Sequence, residues 1–166
     1  PRSSSAASDV YKRQAWGAEQ FGCKCKIYLH AEVSQMREKA ISAYGCDIVR
    51  IEGNYDDSVR HADKDAQNNG WYVVSDTSYE GYREVPSVVM QGYTTIATEI
   101  AEQISGLHPT HLFLPGGVGG IAAAVSSEIS RIWGKLRPKT IIVEPKQADC
   151  LYPVSYTHLR AHETKR

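Results

Sequence analysis

The chain has 166 residues, of which 42% are hydrophobic and 23% are charged, and its formal net charge is zero. This composition is typical of one globular domain or of part of a larger one. A neutral charge balance gives no electrostatic argument for binding to nucleic acid or to an anionic membrane, and no apolar run is long enough to span a bilayer.

The two ends of the chain are related at the DNA level. One DNA string can encode residues 9–14, and its reverse complement can encode residues 154–158. Two unrelated peptides would rarely satisfy this, and the string resembles the inverted adapter of transposon-based sequencing libraries. We therefore expect residues 1–14 and 153–166 to be translated adapter sequence, and we exclude them from the fold prediction. The i, i+4 pair of histidines in the second of these segments then predicts no metal site.

Between these ends, short apolar segments alternate with amphipathic segments. Strands are predicted at 26–30, 47–51, 71–74, 112–114 and 140–143. Helices are predicted at 15–21, 34–44, 56–68 and 85–105, and a fifth follows a glycine-rich loop and runs to Trp133. Ser34 is the expected N-cap of the second helix, and Gly70 is expected to end the third. This alternation indicates an α/β fold with a parallel sheet, in which ligands bind at the carboxyl ends of the strands. Gly92 interrupts the longest helix, where we expect close packing.

The glycine-rich loop lies between the strand 112–114 and the fifth helix. Four glycines occupy five positions, in the order Gly116, Gly117, Val118, Gly119 and Gly120. Glycines permit a tight turn and bring backbone N–H groups close to a ligand. The first N–H groups of a helix lack intrahelical partners and lie at the positive end of the macrodipole, so the loop predicts a phosphate site. The alternative is a turn that only lets strand and helix pack closely.

The kind of phosphate ligand is a separate question. No Gly-Lys-Ser/Thr follows the loop, which excludes a P-loop. Residues 117–122 do fit the pattern G-x-G-x-x-A, and Glu144 ends the next strand. A dinucleotide-binding Rossmann module is therefore an open alternative.

A polar and aromatic segment, residues 76–82, follows the third predicted strand at a carboxyl end. Its first residue, Asp76, is the carboxylate that we single out as a candidate for chemistry. An arbitrary aspartate after a strand more often caps or forms a turn, and this is its alternative role.

The chain has four cysteines: Cys23, Cys25, Cys46 and Cys150. Their spacing fits neither a disulfide framework nor a zinc site. We expect free thiols in the reducing cytoplasm and no metal site.

Several short motifs fall in one order along the chain. They are Asn54–Asp57, Asp76–Tyr82, Met90–Thr95, Pro109–His111, Gly116–Gly119 and Val143–Leu151. Each is weak alone, but the ordered set closely resembles the diaminopropionate ammonia-lyase family, whose members are pyridoxal-phosphate enzymes of fold type II (tryptophan-synthase-β-like). Tyr79 stands where tryptophan is expected in many relatives.

The resemblance implies a reaction and a set of residues. The enzyme would remove both amino groups of 2,3-diaminopropionate and release pyruvate and ammonia, with pyridoxal 5'-phosphate as cofactor. Gly116–Gly120 match the family's phosphate-binding loop. Asp76 matches an active-site aspartate suited to proton transfer or to the second amino group, and Thr77 beside it would contact substrate.

The resemblance also implies an organisation in two α/β domains with the cofactor between them. Residues 15–85 would belong to the smaller domain and 86–152 to the start of the larger one, in a full-length protein that forms a cytoplasmic homodimer. The Schiff-base lysine lies upstream in the family, so no lysine of this chain is assigned that role, and we expect the chain alone to be inactive. A serine or threonine dehydratase, a cysteine synthase and a purely structural fragment are further alternatives.

Overall fold

A computed structural model of the chain describes residues 5–104, 106–147 and 149–155, with side chains described from residue 10 onward. The chain divides into two compact units, Pro1–Val74 and Ser75–Arg166, which we call unit 1 and unit 2. Each unit contains one pair of parallel strands joined through a helix. The predicted α/β fold with parallel strands is therefore confirmed.

Unit 1 is built around the first strand pair. Its elements are α1 (Ser5–Gln20), β1 (Lys26–His30), α2 (Gln35–Ser42), β2 (Asp47–Ile51) and α3 (Tyr55–Asn69). The two strands pair in parallel, with Lys26 opposite Asp47 and His30 opposite Ile51. Apolar side chains of α1, β1, α2 and the turn between β1 and α2 form one core of buried residues: Ala15, Ile27, Leu29, Val33 and Ile41.

The helices of unit 1 begin and end at residues whose local chemistry favours a boundary. The Ser34 side chain accepts a hydrogen bond from the Arg37 N–H at 3.4 Å, which caps α2 as predicted. Gly70 has φ +66° and ends α3 in the left-handed conformation that glycine adopts without strain. The predicted helices 34–44 and 56–68 are confirmed to within two residues at each end.

The predicted strand at 71–74 is wrong. Residues 71–74 form no strand, and the sheet of unit 1 consists of β1 and β2. Tyr72 is 94% exposed, and Trp71 and Val74 are also exposed. Aromatic and β-branched residues favour a strand only where a neighbouring strand and a packed face are available, and neither accompanies this segment in the described part of the chain.

Unit 2 is built around the second strand pair. Its elements are α4 (Glu84–Gln103), β3 (His111–Pro115), α5 (Gly120–Trp133), a short 3-10 helix (Gly134–Leu136) and β4 (Lys139–Val143). Residues 151–155 are also helical. β3 and β4 pair in parallel, with His111 opposite Lys139. The core between α4, α5 and β3 contains buried apolar side chains: Ala97, Leu114, Ala122, Val125 and Ile129.

Gly92 lies in the middle of α4 as predicted, but the expected close packing is wrong. A Cβ atom at Gly92 would have no heavy atom of the described residues within 4 Å, and Gly92 itself is exposed. None of the described helices is both long enough and apolar enough to cross a membrane.

Candidate anion-binding site

The glycine-rich loop connects β3 to α5 in unit 2. The Gly116 N–H donates to the Val143 carbonyl oxygen at 2.7 Å, which extends the pairing of β3 with β4 by one residue. The chain then turns, and Gly119 has φ +92°, a conformation that L side chains rarely adopt. The first intrahelical bond of α5 runs from the Ala123 N–H to the Gly119 carbonyl oxygen at 2.9 Å.

The N-terminus of α5 has no side-chain cap within residues 5–104, 106–147 and 149–155, and we call this helix start uncapped. The N-cap residue is Gly119, which has no side chain that could accept a hydrogen bond. The N–H groups of Gly120, Ile121 and Ala122 have no intrahelical acceptor, because they precede the first turn. These donors and the positive end of the helix macrodipole favour an anion, and a phosphate fits the chemistry of the donor set.

The neighbours of the loop explain why glycine is needed at two of its positions. A Cβ atom at Gly116 would overlap the Glu144 side chain, with Cδ at 2.9 Å. A Cβ atom at Gly119 would lie 3.3 Å from Leu151 Cδ2 and would also be strained by the positive φ. Gly117, by contrast, is surrounded by open space. The loop therefore packs against the segment that follows β4.

The Glu144 carboxylate accepts hydrogen bonds from the backbone of that segment. One carboxylate oxygen accepts a hydrogen bond from the Leu151 N–H at 2.8 Å, and the other accepts from the Tyr152 N–H at 2.9 Å. Glu144 thus caps the helical residues 151–155. A dinucleotide-binding module requires this acidic residue to bind a ribose, but here both of its oxygens accept from the backbone. The geometry therefore argues against the dinucleotide alternative.

Asp76 lies beside the start of α5. Its backbone carbonyl oxygen is 4.0 Å from the position of a Cβ atom built on Gly120. The Thr77 hydroxyl donates to Asp76 Oδ1 at 3.4 Å, and the Tyr93 hydroxyl donates to Oδ2 at 3.3 Å. The structure thus brings Asp76 close to Gly120, the last residue of the glycine-rich loop, although the two are more than forty positions apart in sequence. Thr77 contacts the Asp76 carboxylate from the adjacent position.

Tyr93 is a residue that the sequence analysis included in the motif Met90–Thr95 but did not assign to the site. It is 6% exposed, and its ring lies 3.9 Å from the Cβ position of Gly120. A buried tyrosine needs a hydrogen-bond partner for its hydroxyl, and this was the signal available in the sequence. The identity of that partner depends on tertiary packing.

The segment that follows Asp76 forms a tight turn. Tyr79 and Tyr82 exchange two backbone hydrogen bonds, at 3.2 and 3.0 Å, and their rings stack at 4.9 Å. Gly81 within the turn has φ +82°. The Ser75 N–H donates to the Tyr82 hydroxyl oxygen at 2.9 Å, and burial raises the pKa of this tyrosine above its ordinary value. The turn therefore folds back and holds the residue that precedes Asp76.

Two further observations concern cysteine and metal ligands. The cysteines Cys23, Cys25, Cys46 and Cys150 are free thiols, and burial raises the pKa values of Cys25 and Cys46. Among residues 5–104, 106–147 and 149–155, no group of three or more histidine, cysteine, aspartate or glutamate side chains could hold a metal ion. The histidine pair at positions 158 and 162 lies outside the described residues.

A parallel strand pair, a glycine turn and an uncapped helix start are typical of α/β proteins that bind a phosphate group. The sequence model of the family described as pyridoxal-phosphate dependent enzyme matches residues 14–165, and the chain therefore belongs to this family. The fold and the cofactor class expected from the motifs are confirmed.

Three comparisons place the chain within the family. It is 41% identical over 140 residues to diaminopropionate ammonia-lyase of Escherichia coli strain K12, covering 83% of this chain and 35% of that protein. A solved structure of the holo diaminopropionate ammonia lyase from Escherichia coli superposes with a TM-score of 0.84 at 39% identity, covering 89% of this chain and 38% of that one. Threonine deaminase isoform 2 from Solanum lycopersicum is more distant, with a TM-score of 0.66 at 27% identity over 82% of this chain and 36% of that one. The chain thus spans about a third of the length of the curated relatives it matches first.

Proposed function

We propose that this chain supplies the phosphate-binding loop and an active-site carboxylate of an enzyme that eliminates ammonia from 2,3-diaminopropionate. The reaction consumes one water and yields pyruvate and two molecules of ammonia. The observation that carries the proposal is the uncapped N-terminus of α5 with Asp76 beside its first residue. The similarity to diaminopropionate ammonia-lyases supports this substrate over those of the more distant threonine deaminase.

Under this proposal Gly116, Gly117, Val118, Gly119 and Gly120 hold the cofactor phosphate. The N–H groups of the first turn of α5 and the macrodipole supply the attraction. When bound, pyridoxal 5'-phosphate supplies an electron sink for the pair left by removal of the α-proton. The protein itself would bind and orient the cofactor and the substrate, and its side chains would transfer protons.

Asp76 is the proposed catalytic residue. Its carboxylate can accept a proton, or it can bind the second ammonium group, which distinguishes a diamine from serine or threonine. Thr77 is proposed to contact substrate, and its hydroxyl also lies within reach of Asp76 Oδ1. The second ammonium group of a diamine can pair with this carboxylate, whereas serine and threonine have no such group on their side chains.

The organisation of the full-length protein is part of the same proposal. Residues 15–85 would belong to a smaller α/β domain and 86–152 to the start of a larger one. We also propose that the full-length protein is a cytoplasmic homodimer that takes up a free amino acid, and that its Schiff-base lysine lies outside residues 15–152. Light scattering coupled to size-exclusion chromatography of the full-length protein tests the dimer, and a monomer contradicts it.

The substrate is tested by a turnover assay on the full-length protein with pyridoxal 5'-phosphate supplied. Pyruvate release from 2,3-diaminopropionate is compared with keto-acid release from serine and from threonine. We expect the parent protein to prefer the diamine strongly, and we expect this preference to be lost in Asp76→Asn. Turnover of serine or threonine alone would retain the cofactor and reassign the substrate.

A further inference from the structure

We propose that Tyr93 is a positioning residue that holds the carboxylate of Asp76 beside the first turn of α5. This inference rests on the proposed catalytic role of Asp76. It adds a residue on a different element, α4, and a stated task for its hydroxyl group. The ring of Tyr93 fills space, whereas the hydroxyl fixes the direction of the carboxylate.

The first step is that the ring itself is held firmly. Tyr93 is 6% exposed, and α4 packs against α5 through the buried core of unit 2. One edge of the ring lies 3.9 Å from the Cβ position of Gly120, the first residue of α5. A buried aromatic ring in contact with two helices has little rotational freedom, so its hydroxyl oxygen occupies a defined position.

The second step is that Asp76 needs such an anchor. The segment before it, 71–74, is not a strand, and the Ser75 N–H donates to the Tyr82 hydroxyl oxygen, so a turn rather than a sheet holds the backbone that leads to Asp76. These contacts fix the backbone and leave the direction of the Asp76 side chain to its own hydrogen bonds. The hydroxyls of Tyr93 and Thr77 lie near opposite oxygens of the carboxylate, at 3.3 and 3.4 Å. Thr77 is the adjacent residue and moves with the same loop. Of these two hydroxyls, that of Tyr93 therefore ties the carboxylate to the helical core.

The third step is the consequence for chemistry. Proton transfer requires the carboxylate to lie within a few tenths of an ångström of its productive position, and a displacement of about 1 Å costs about 100-fold in rate. Loss of the Tyr93 hydroxyl leaves ring packing intact but frees the carboxylate to turn. We expect kcat for diaminopropionate to fall by about 10- to 100-fold in Tyr93→Phe, with KM changed by no more than about threefold.

The experiment is a double-mutant cycle on the full-length protein. The variants are Tyr93→Phe, Asp76→Asn and the double variant, with Tyr72→Phe as the matched control because Tyr72 is 94% exposed. If Tyr93 acts through Asp76, its substitution lowers kcat in the parent protein and has no further effect in the Asp76→Asn background. An unchanged kcat in Tyr93→Phe, or equal effects in both backgrounds, overturns the inference.

A second readout does not depend on turnover. The melting temperatures of the four cofactor-free proteins form the same cycle, and we expect the shifts of the two single variants to be non-additive, because the two side chains share one hydrogen bond. Additive shifts overturn the inference. If the parent protein turns over none of the amino acids, the proposed function fails, and the melting cycle alone then decides whether Tyr93 holds Asp76.

Discussion

Two helices that follow parallel strands in this chain begin in opposite ways. In unit 1, the Asn54 side chain accepts from the Asp57 N–H at 3.1 Å, and the Asp57 carboxylate accepts from the Asn54 N–H at 2.8 Å, so α3 has a complete capping box. In unit 2, the N-cap residue of α5 is Gly119, which has no side chain that could accept a hydrogen bond. At the strand-to-helix junction of unit 1, side chains of the junction cap the helix, and we call this the closed junction. At the junction of unit 2, the first N–H groups of the helix are available to an anion, and we call this the open junction.

An acidic residue lies near each junction, and the two residues bond to different groups. Asp57 points back at the start of α3 and also pairs with Arg60 at 2.5 Å. Glu144 lies against Gly116, but its carboxylate oxygens accept from the N–H groups of Leu151 and Tyr152. A carboxylate that bonded to α5 would compete with a phosphate, and Glu144 is engaged elsewhere. The nearby carboxylate thus bonds to the N-terminus of the helix in unit 1, and in unit 2 it bonds to a different segment.

The largest expected effect is at the open junction. Gly119→Ala places a Cβ atom at a positive φ and 3.3 Å from Leu151 Cδ2, so the loop must change conformation. We expect the affinity of the full-length protein for pyridoxal 5'-phosphate to fall by about 100-fold, which corresponds to about 2.7 kcal/mol. Absorbance titration with the cofactor measures this affinity.

Gly92→Ala is the matched control for that substitution. Gly92 lies inside α4 with open space around it, so alanine should raise stability by up to about 1 kcal/mol and leave cofactor affinity unchanged. An equal loss of affinity in both variants would mean that glycine replacement acts through general destabilisation.

The next prediction concerns the contacts that hold a helix against the strands in each unit. Unit 2 relies on apolar packing, whereas in unit 1 the Tyr28 hydroxyl on β1 donates to Asp65 Oδ2 on α3 at 2.5 Å. We expect Tyr28→Phe to destabilise the protein by about 1–2 kcal/mol, as measured by urea unfolding, without changing cofactor affinity. Tyr72→Phe should leave the unfolding midpoint in place.

The same contact predicts a pH dependence at the alkaline end. Burial, and then the hydrogen bond to Asp65, raise the pKa of Tyr28 from 10.0 to about 12. A raised pKa in the folded state means that the contribution is complete below about pH 10 and is lost as the pH rises through about 12. The unfolding midpoints of the parent protein and Tyr28→Phe should therefore converge over that interval. A constant difference would show that the hydroxyl is not the group that titrates.

A smaller effect is expected at the closed junction. Asn54→Ala removes one half of the capping box, and we expect a loss of about 1 kcal/mol in the free energy of unfolding. Cofactor affinity should not change, because the cap serves only α3. A loss of affinity in this variant comparable to that in Gly119→Ala would break the distinction between the two junctions.

The smallest effect is the acid response of the same cap. The hydrogen bond with the Asn54 N–H, and then the Arg60 side chain, lower the pKa of Asp57 below its ordinary value of 3.8. A lowered pKa in the folded state means that the contribution is present above the ordinary value and is lost as the pH falls below it. The melting temperatures of the parent protein and Asp57→Asn should differ near neutral pH and approach each other in acid. A gap that widens in acid would contradict this sign.

The two junctions also show what sequence reasoning can and cannot reach. The Ser34 cap, the Gly70 stop and the glycine-rich loop were predicted because each depends on residues within one or two turns of the chain. The strand at 71–74 was mistaken because pairing depends on a neighbouring strand that local sequence does not specify. The contact of Tyr93 with Asp76 was not predicted, because tertiary packing brings together these two residues, which are 17 positions apart in sequence.

The most direct test of the open junction is to separate the phosphate from the rest of the cofactor. The affinities of the full-length protein for pyridoxal 5'-phosphate and for pyridoxal are measured in the parent protein and in Gly119→Ala. We expect the parent protein to prefer the phosphorylated form by at least about 100-fold, and this preference to collapse in the variant. An unchanged preference in Gly119→Ala would place the phosphate elsewhere and contradict the assignment of Gly116–Gly120 as its site.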